Sequence, residues 1–192
     1  MNTHVVIAHY NENLDWTENL IYPYTIISRN NIPKEVAPNK GNEASAFLEY
    51  IINNYENLPE VCIFVHGHRT AWHHKQNIDE KINNIDFSYD YYNINDLKSD
   101  YLKNHIKEIN YLKSVINIFN NILNKQIILE NIKNRPCAQF YVKKYNILIN
   151  SKNTYIELYN FLMTTNIHSF WSGRFFEYLW HYIFTGNYED ID

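Results

Sequence analysis

The sequence is poor in the residues that interrupt or cross-link a chain. Its 192 residues include four glycines, five prolines and two cysteines, and no Gly-rich phosphate-binding motif is present. Cys62 and Cys137 each lie in an apolar run, which predicts buried reduced thiols of a cytosolic type, although a disulfide between them stays open. No stretch approaches the length of about 18 uncharged apolar residues that a membrane-spanning helix needs. The amino terminus also lacks the basic and apolar regions of a signal peptide, so we expect a cytoplasmic protein.

The sequence also lacks an excess of basic residues. Lys and Arg total 17 against 21 for Asp and Glu, a formal net charge of -4, so we expect neither nucleic acid nor an anionic membrane surface as a partner. The hydrophobic content of 45% instead predicts a folded core, here as one domain spanning residues 1–192. The many Asn, Ile, Lys and Tyr residues are typical of AT-rich genomes, which include those of large DNA viruses. For a viral protein, we expect a location in the host cytoplasm or in the virion.

Apolar patterning predicts an α/β fold. Residues 4–10, 24–29, 61–65 and 137–142 are short apolar runs typical of buried strands. Residues 44–55 carry an amphipathic helical pattern, and helices are also predicted over 77–85, 154–163 and 172–185, the last with Ser172 as its N-cap. Residues 97–123 predict one long helix or two broken ones. This alternation indicates a three-layer α/β/α domain with a mostly parallel central sheet.

One loop concentrates the side chains that carry chemistry. Residues 66–74 follow the strand at 61–65 and hold four of the nine histidines, together with Arg69 and Trp72. The carboxyl end of a buried parallel strand is where open α/β sheets bind ligands. Imidazole is a common metal ligand, so the loop is either a binding site or a set of solvated histidines.

Two carboxylates are candidate general bases. Glu177 lies four residues before His181 on a predicted helix, so the two share one helical face. Its alternative role is that of an i, i+4 partner of His181 or of an exposed charge on the helix. Glu12 follows the first strand, and its alternative role is to stabilise a helix amino terminus.

Several motifs, taken together and in order, make the sequence resemble the family of uncharacterised proteins DUF3431, as a compact member. The resemblance covers residues 4–75 and 136–186. It rests on Tyr10-Asn11-Glu12 with Trp16, Pro38-Asn39-Lys40-Gly41-Asn42-Glu43-Ala44, Asn57-Leu58-Pro59, His66-Gly67-His68-Arg69 with Trp72-His73, Cys137-Ala138-Gln139-Phe140, and Ser172-Gly173-Arg174 with Glu177-Tyr178 and Trp180-His181.

That family is distantly similar to the GT-A glycosyltransferases. The resemblance implies a GT-A/Rossmann-like fold that transfers a sugar from a nucleotide-sugar donor to a glycan or protein acceptor, with a divalent metal ion, Mn or Mg, or Zn as the alternative. Here His66-Gly67-His68 stands where such enzymes carry an Asp-x-Asp metal motif, and Asp190-Ile191-Asp192 is only a terminal match.

The site predicted from the sequence contains three kinds of residue. The catalytic candidates are Glu177 and Glu12, and the metal candidates are His66, His68 and His181. The substrate-binding candidates are Tyr10, Asn11, Lys40, Asn42, Glu43, Arg69, Trp72, Gln139 and Arg174. Gln139 either reads a ligand or ties down a neighbouring loop. The alternative functions are a metal-dependent hydrolase that uses the histidine cluster and a non-catalytic carbohydrate-binding module of the same fold.

Overall fold

The computed structural model describes residues 1–30 and 39–189. Pro38 and the terminal Asp190 and Asp192 of the predicted motifs lie outside these residues. The strands are β1 (Thr3–His9), β2 (Tyr24–Ser28), β3 (Val61–His66), β4 (Tyr91–Asn93), β5 (Asp100–Tyr101), β6 (Lys133–Asn134) and β7 (Phe140–Lys143). The α-helices are α1 (Glu43–Asn54), α2 (Ile78–Asn83), α3 (Ile106–Leu123), α4 (Lys144–Ile147), α5 (Lys152–Thr164) and α6 (Ser169–Thr185).

The five-stranded sheet is mixed, which corrects the expectation of a mostly parallel one. Its strand order is β2-β1-β3-β7-β4. β1 pairs in parallel with both β2 and β3, whereas β7 runs antiparallel to β3 and to β4. β7 is buried on both faces, with Phe140 on one side and Tyr141 on the other. An apolar strand of this kind packs equally well in either direction, so its sequence pattern carries no information about orientation.

The two faces of the sheet bury different partners because successive strand residues point to opposite sides. Val6, Phe64 and Phe140 belong to the larger apolar cluster, which includes residues of α1, α3, α5 and α6. Val5 and Ile63 belong to the smaller cluster, where the cover comes from α2 and from the 3-10 helix Asp15–Asn19. The predicted α/β class is therefore confirmed. More helices pack on the face of the larger cluster than on the face of the smaller one.

The helix boundaries follow the sequence at most ends. The helical pattern predicted over 97–123 forms one helix, α3, but only from Ile106, because Asp100–Tyr101 form β5 and Leu102–Asn104 form a 3-10 helix. α6 ends at Thr185 with Gly186 in the left-handed region (φ 72°). The predicted N-cap Ser172 is wrong. α6 begins three residues earlier, where the His168 side chain accepts a hydrogen bond from the backbone N–H of Phe170 (3.2 Å). Ser172 is instead buried within the helix, because its small side chain fits the packed interior face.

The structure also bears on the two cysteines and on the expected absence of a membrane-spanning helix. Cys62 and Cys137 are both free thiols, with Cys62 buried. Within residues 1–30 and 39–189, no helix has the length and apolar character required to span a bilayer.

Candidate functional site

A cavity of about 320 Å³ opens where the parallel strands end. β2 and β3 lie on opposite sides of β1, so the strand order reverses at β1. Open α/β sheets bind ligands beyond the carboxyl ends of their strands at such a reversal. The cavity is lined by Ala8, His9, Tyr10, Glu12, Ile27, Arg29, Asn39, Asn42, Glu43, Ala46, His66 and His68. Six of these, namely Tyr10, Glu12, Asn42, Glu43, His66 and His68, are residues that the sequence predicted for the site.

The start of α1 forms one wall of this cavity. Gly41 and Asn42 both adopt the left-handed region, with φ of 68° and 52°. A Cβ on Gly41 would lie 2.3 Å from Leu162 Cδ1, so another residue here would displace the Leu162 side chain as well as adopt the left-handed backbone. The turn places Asn42, Glu43 and Ala46, at the start of α1, in the cavity lining. The amino end of a helix carries positive partial charge and favours anions.

Glu12 joins the loops that follow β1 and β3. Its Oε2 accepts hydrogen bonds from the backbone N–H groups of Tyr10 (2.7 Å) and Asn11 (3.1 Å), and its Oε1 lies 3.5 Å from His68 Nε2. A Cβ on Gly67 would lie 2.9 Å from Glu12 Oε2, so the glycine permits this close approach. Burial acts to raise the pKa of Glu12, but the backbone donors and His68 outweigh it and lower that pKa. Glu12 is therefore a carboxylate at neutral pH.

Glu43 has the opposite protonation state. Burial and the charge of Glu177 raise the pKa of Glu43 to about 8. Its Oε1 is shielded from solvent and has no hydrogen-bond partner among the described residues. Burial also raises the pKa of Glu177, against the effects of Arg174 and of the Cys137 N–H, which donates to Glu177 Oε2 (3.1 Å). Two carboxyl groups on one cavity, Glu12 and Glu43, are thus held in different charge states.

A network of buried side-chain amides holds the backbone of His66 in place. The backbone N–H of His66 donates to Gln139 Oε1 (3.2 Å), and Gln139 Nε2 donates to Asn95 Oδ1 (3.1 Å). His73 Nδ1 also donates to Asn95 Oδ1 (2.7 Å). Gln139 is fully buried, so of its two predicted roles it performs the second and ties down a neighbouring loop. Burial lowers the pKa of His66 to about 3, so its ring is neutral.

Arg69 and Trp72 are not among the described residues that line the cavity. Arg69 forms an ion pair with the buried Asp79 (3.1 Å). Trp72 is 79% exposed and contacts the His73 ring edge-on. β3 ends at His66 and the loop bends at Gly67, and of the residues after this bend only His68 is in the cavity lining described.

Three other predicted binding residues lie beside the cavity rather than in its lining. Lys40 Nζ donates to the carbonyl of Ile167 (3.1 Å) and fastens the turn before α1 to the start of α6. Arg174 places its guanidinium 5.0 Å from the centre of the Phe170 ring. Asn11 contributes its backbone N–H to Glu12.

His181 lies away from His66 and His68, so the predicted metal set is not assembled. Its ring contacts Tyr91 with 5.1 Å between ring centroids, and its Nε2 lies 3.3 Å from Thr185 Oγ1, in a different cavity. Over the described ranges, no three His, Cys, Asp or Glu side chains form a group suited to a metal ion. Glu177 and His181 lie one turn apart on α6, but His181 lines this separate cavity and Glu177 is in the lining of neither one.

The sequence prediction missed six lining residues, of which three are polar, namely His9, Arg29 and Asn39. Arg29 follows the end of β2 and is held by Glu49 (Nη2 to Oε2, 2.6 Å) and Ser45 (Nε to Oγ, 3.5 Å). His9 ends β1, and its Nδ1 lies 3.0 Å from Ser28 Oγ. The rule that ligands bind at the ends of parallel strands would have selected His9 and Arg29 if it had been applied to β1 and β2 as well as to β3.

The fold and the cavity define an α/β protein with a polar crevice at the ends of its parallel strands. The chain belongs to the family described as protein of unknown function (DUF3431), whose family model matches residues 5–191. The resemblance inferred from motifs at both ends of the chain is thereby confirmed, and it extends through the middle. No curated protein and no solved structure matches the chain.

Proposed function

We propose that this protein is a glycosyltransferase-like enzyme with a three-layer, GT-A-like fold. It binds a nucleotide-sugar donor in the cavity at the ends of β1, β2 and β3 and transfers the sugar to a glycan or protein acceptor. The observation that carries the proposal is the polar cavity at the ends of the parallel strands, which is lined by two carboxyl groups, those of Glu12 and Glu43. Hydrogen bonds and His68 lower the pKa of Glu12, whereas burial raises that of Glu43. When two carboxyls of one site have pKa values moved in opposite directions, one serves as base and the other as acid.

The chemical step assigns the base role to Glu12. The acceptor oxygen forms a bond to the anomeric carbon of the sugar, and the bond from that carbon to the diphosphate oxygen breaks. Glu12 takes the acceptor's hydroxyl proton, which its ionised state allows. Glu43, which still carries its proton near neutral pH, donates a hydrogen bond to an oxygen of the bound donor.

The departing diphosphate requires positive charge. The amino end of α1 supplies it together with Arg29, which lines the cavity. The proposal routes no step through Mn, Mg or Zn, because the described residues do not form a three-ligand set for a metal ion. Glu177, predicted as a catalytic base, is not part of the cavity lining and has no direct role in this step.

Thermal-shift and turnover measurements on the full chain test the proposal. UDP-, GDP- and dTDP-sugars are added with and without Mn²⁺. We expect one donor class to raise Tm, and we expect Glu12→Gln to keep that shift while losing at least about 100-fold in turnover. Glu56→Gln, an isosteric change at an exposed carboxylate, serves as the control and retains full activity. The absence of any stabilisation by all three donor classes would overturn the proposal.

The two alternative functions give different results in the same experiments. A non-catalytic carbohydrate-binding module would show ligand stabilisation with no turnover, and Glu12→Gln would change nothing further. A metal-dependent hydrolase would copurify with a stoichiometric metal that is lost on His68→Ala, as elemental analysis would detect.

A further inference from the structure

We propose that Trp72 binds the acceptor: its exposed indole ring stacks on a sugar ring of a glycan, next to the cavity that binds the donor. The assignment of this glycan as the acceptor rests on the proposed function, whereas glycan binding at Trp72 does not. Trp72 was predicted as a substrate-binding residue and is not in the cavity lining described, so its binding role lies outside the cavity.

Trp72 is presented by a tight turn in the loop that follows β3. Ala71 and His74 form an isolated antiparallel β-bridge, so Trp72 and His73 occupy the tip between them. The backbone N–H of His74 donates to the carbonyl of Ala71 (3.3 Å) and closes this turn. At its tip, the Trp72 side chain is 79% exposed. The turn thus holds a large apolar ring in contact with solvent.

Hydrogen bonds to the residues that follow β4 fix this turn in place. His73 Nδ1 donates to the buried Asn95 Oδ1 (2.7 Å), and the backbone N–H of Asp96 donates to the carbonyl of His73 (2.9 Å). The backbone N–H of Lys75 donates to Asp96 Oδ2 (2.6 Å). Because the loop is ordered before a ligand binds, ordering it adds little to the cost of binding. Tryptophan is enriched at binding surfaces, since its rigid ring offers a large contact area.

One imidazole ring separates Trp72 from the cavity. The ring centroids of Trp72 and His73 lie 5.5 Å apart, and those of His73 and His66 lie 5.7 Å apart, both in edge-to-face geometry. His66 lines the cavity. A glycan that stacks on Trp72 therefore extends to the cavity past a single side chain.

The order of the strands places Trp72 on the acceptor's side of the cavity. Arg29 follows β2, Glu12 follows β1 and Trp72 follows β3, and these strands are neighbours in that order. The loop of Trp72 is anchored to Asn95, which follows β4 at the opposite edge of the sheet from β2. In the proposed reaction, Arg29 helps to hold the diphosphate and Glu12 takes the proton of the acceptor. The acceptor then extends from Glu12 away from Arg29, towards β3 and Trp72.

The surroundings of Trp72 suit a sugar better than the core of a protein interface. A pyranose ring has C–H groups on its faces and hydroxyl groups around its edge, so it combines stacking on an aromatic ring with hydrogen bonds to polar neighbours. Protein interfaces instead place their aromatic residues in a core that is depleted of charged residues. The other exposed residues of this loop are all polar, namely His68, Arg69, Thr70, Lys75 and Gln76.

Quenching of tryptophan fluorescence by acrylamide tests glycan binding at Trp72 in the full chain without a donor. The other three tryptophans are buried or half-buried, so Trp72 dominates the quenchable signal. Cellohexaose, mannohexaose and chitohexaose are the probes, and we expect one of them to protect Trp72 from acrylamide. Calorimetric titration of the same oligosaccharide should show a Kd at least about tenfold weaker in Trp72→Ala. Trp72→Phe, which keeps an aromatic ring, should lose less.

Two controls separate this role from a structural one. Tyr145→Ala removes an exposed ring at the opposite end of β3, because Lys143 at the end of β7 pairs with Val61 at the start of β3. This variant should leave the Kd unchanged. Trp72→Ala should also keep the wild-type Tm shift with a nucleotide sugar, because that ligand occupies the cavity.

The outcomes separate this inference from the proposed function. If none of the three oligosaccharides protects Trp72, or if Trp72→Ala binds them as wild type does, the inference is wrong even if a nucleotide sugar is turned over. A loss of nucleotide-sugar affinity alone in Trp72→Ala would place the donor's base on Trp72 and would also overturn it. If an oligosaccharide binds through Trp72 while no nucleotide sugar stabilises the chain, the glycan site stands and the proposed function falls.

Discussion

Glu43 on α1 and Glu177 on α6 are interacting carboxyl groups, and the charge of Glu177 adds to burial in raising the pKa of Glu43 to about 8. The ordinary value is 4.5, so between these two values the unfolded chain loses a proton that the folded chain keeps. Stability must then fall as pH rises through this window and level off above it, because the folded state binds more protons.

Replacing Glu43 with Gln removes this pH dependence. We expect Glu43→Gln to have nearly wild-type stability below pH 4.5 and to become progressively more stable than wild type up to about pH 8. Each pKa unit corresponds to about 1.4 kcal/mol, so the difference should reach a few kcal/mol. Urea unfolding across this range measures it. A constant difference between the two proteins at every pH would contradict the prediction.

Gly173→Ala should separate α6 from α1. The added Cβ would lie 2.8 Å from a backbone oxygen, which cannot move without shifting the turn before α1. We expect a loss of roughly 1–3 kcal/mol in the free energy of unfolding. Gly186→Ala is the matched comparison. Among the described residues, its Cβ would contact the flexible end of Lys125 (3.3 Å), so the expected loss is that of a left-handed backbone, about 1 kcal/mol.

The two glycine variants also differ in their effect on the carboxyl pair. Gly173→Ala should lower the titration of Glu43 towards the ordinary range because Glu177 moves away, whereas Gly186→Ala should leave it in place. Equal stability losses with unchanged titration in both variants would show that the glycine contact does not position Glu177.

Arg69→Met distinguishes a structural arginine from a ligand-binding one. Arg69 pairs with the buried Asp79, so its removal leaves that carboxylate with Asn19 as its remaining side-chain partner (2.8 Å). We expect a lower Tm with unchanged affinity for a nucleotide sugar. Arg29→Met, which alters the cavity lining, should weaken that affinity. Isothermal titration calorimetry measures the affinity of both variants for the nucleotide sugar. A loss of affinity in Arg69→Met would show that Arg69 belongs to the binding site.

Gln139→Met tests whether the buried amide holds the loop after β3. The variant leaves the backbone N–H of His66 without its acceptor, at a cost of about 1–3 kcal/mol for an unsatisfied buried donor. Trp72→Ala, at a side chain 79% exposed in the same loop, should change the free energy of unfolding by less than about 0.5 kcal/mol. Similar losses in chemical denaturation of the two variants would contradict this assignment.

Local chemistry alone was enough to predict much of this fold. β1 and β3 are short apolar runs largely buried on both faces of the sheet, as their composition predicts, and β2 is a shorter apolar run at the sheet edge. The apolar residues of α1 recur at the spacing that aligns them on one face of a helix. The stop of α6 before Gly186 follows from the left-handed backbone that glycine accepts. These features depend on neighbours within a few residues, and the sequence contains that information directly.

The direction of β7 and the membership of the site were decided by tertiary structure. The sequence placed His181 with His66 and His68 because histidines bind metals, yet α6 carries His181 to Tyr91 and a separate cavity. It marked Glu177 as a base, but the packing of Gly173 on Gly41 places that carboxyl behind Glu43. Charge and burial at a site arise from distances between remote segments, and residue spacing along one chain does not encode those distances.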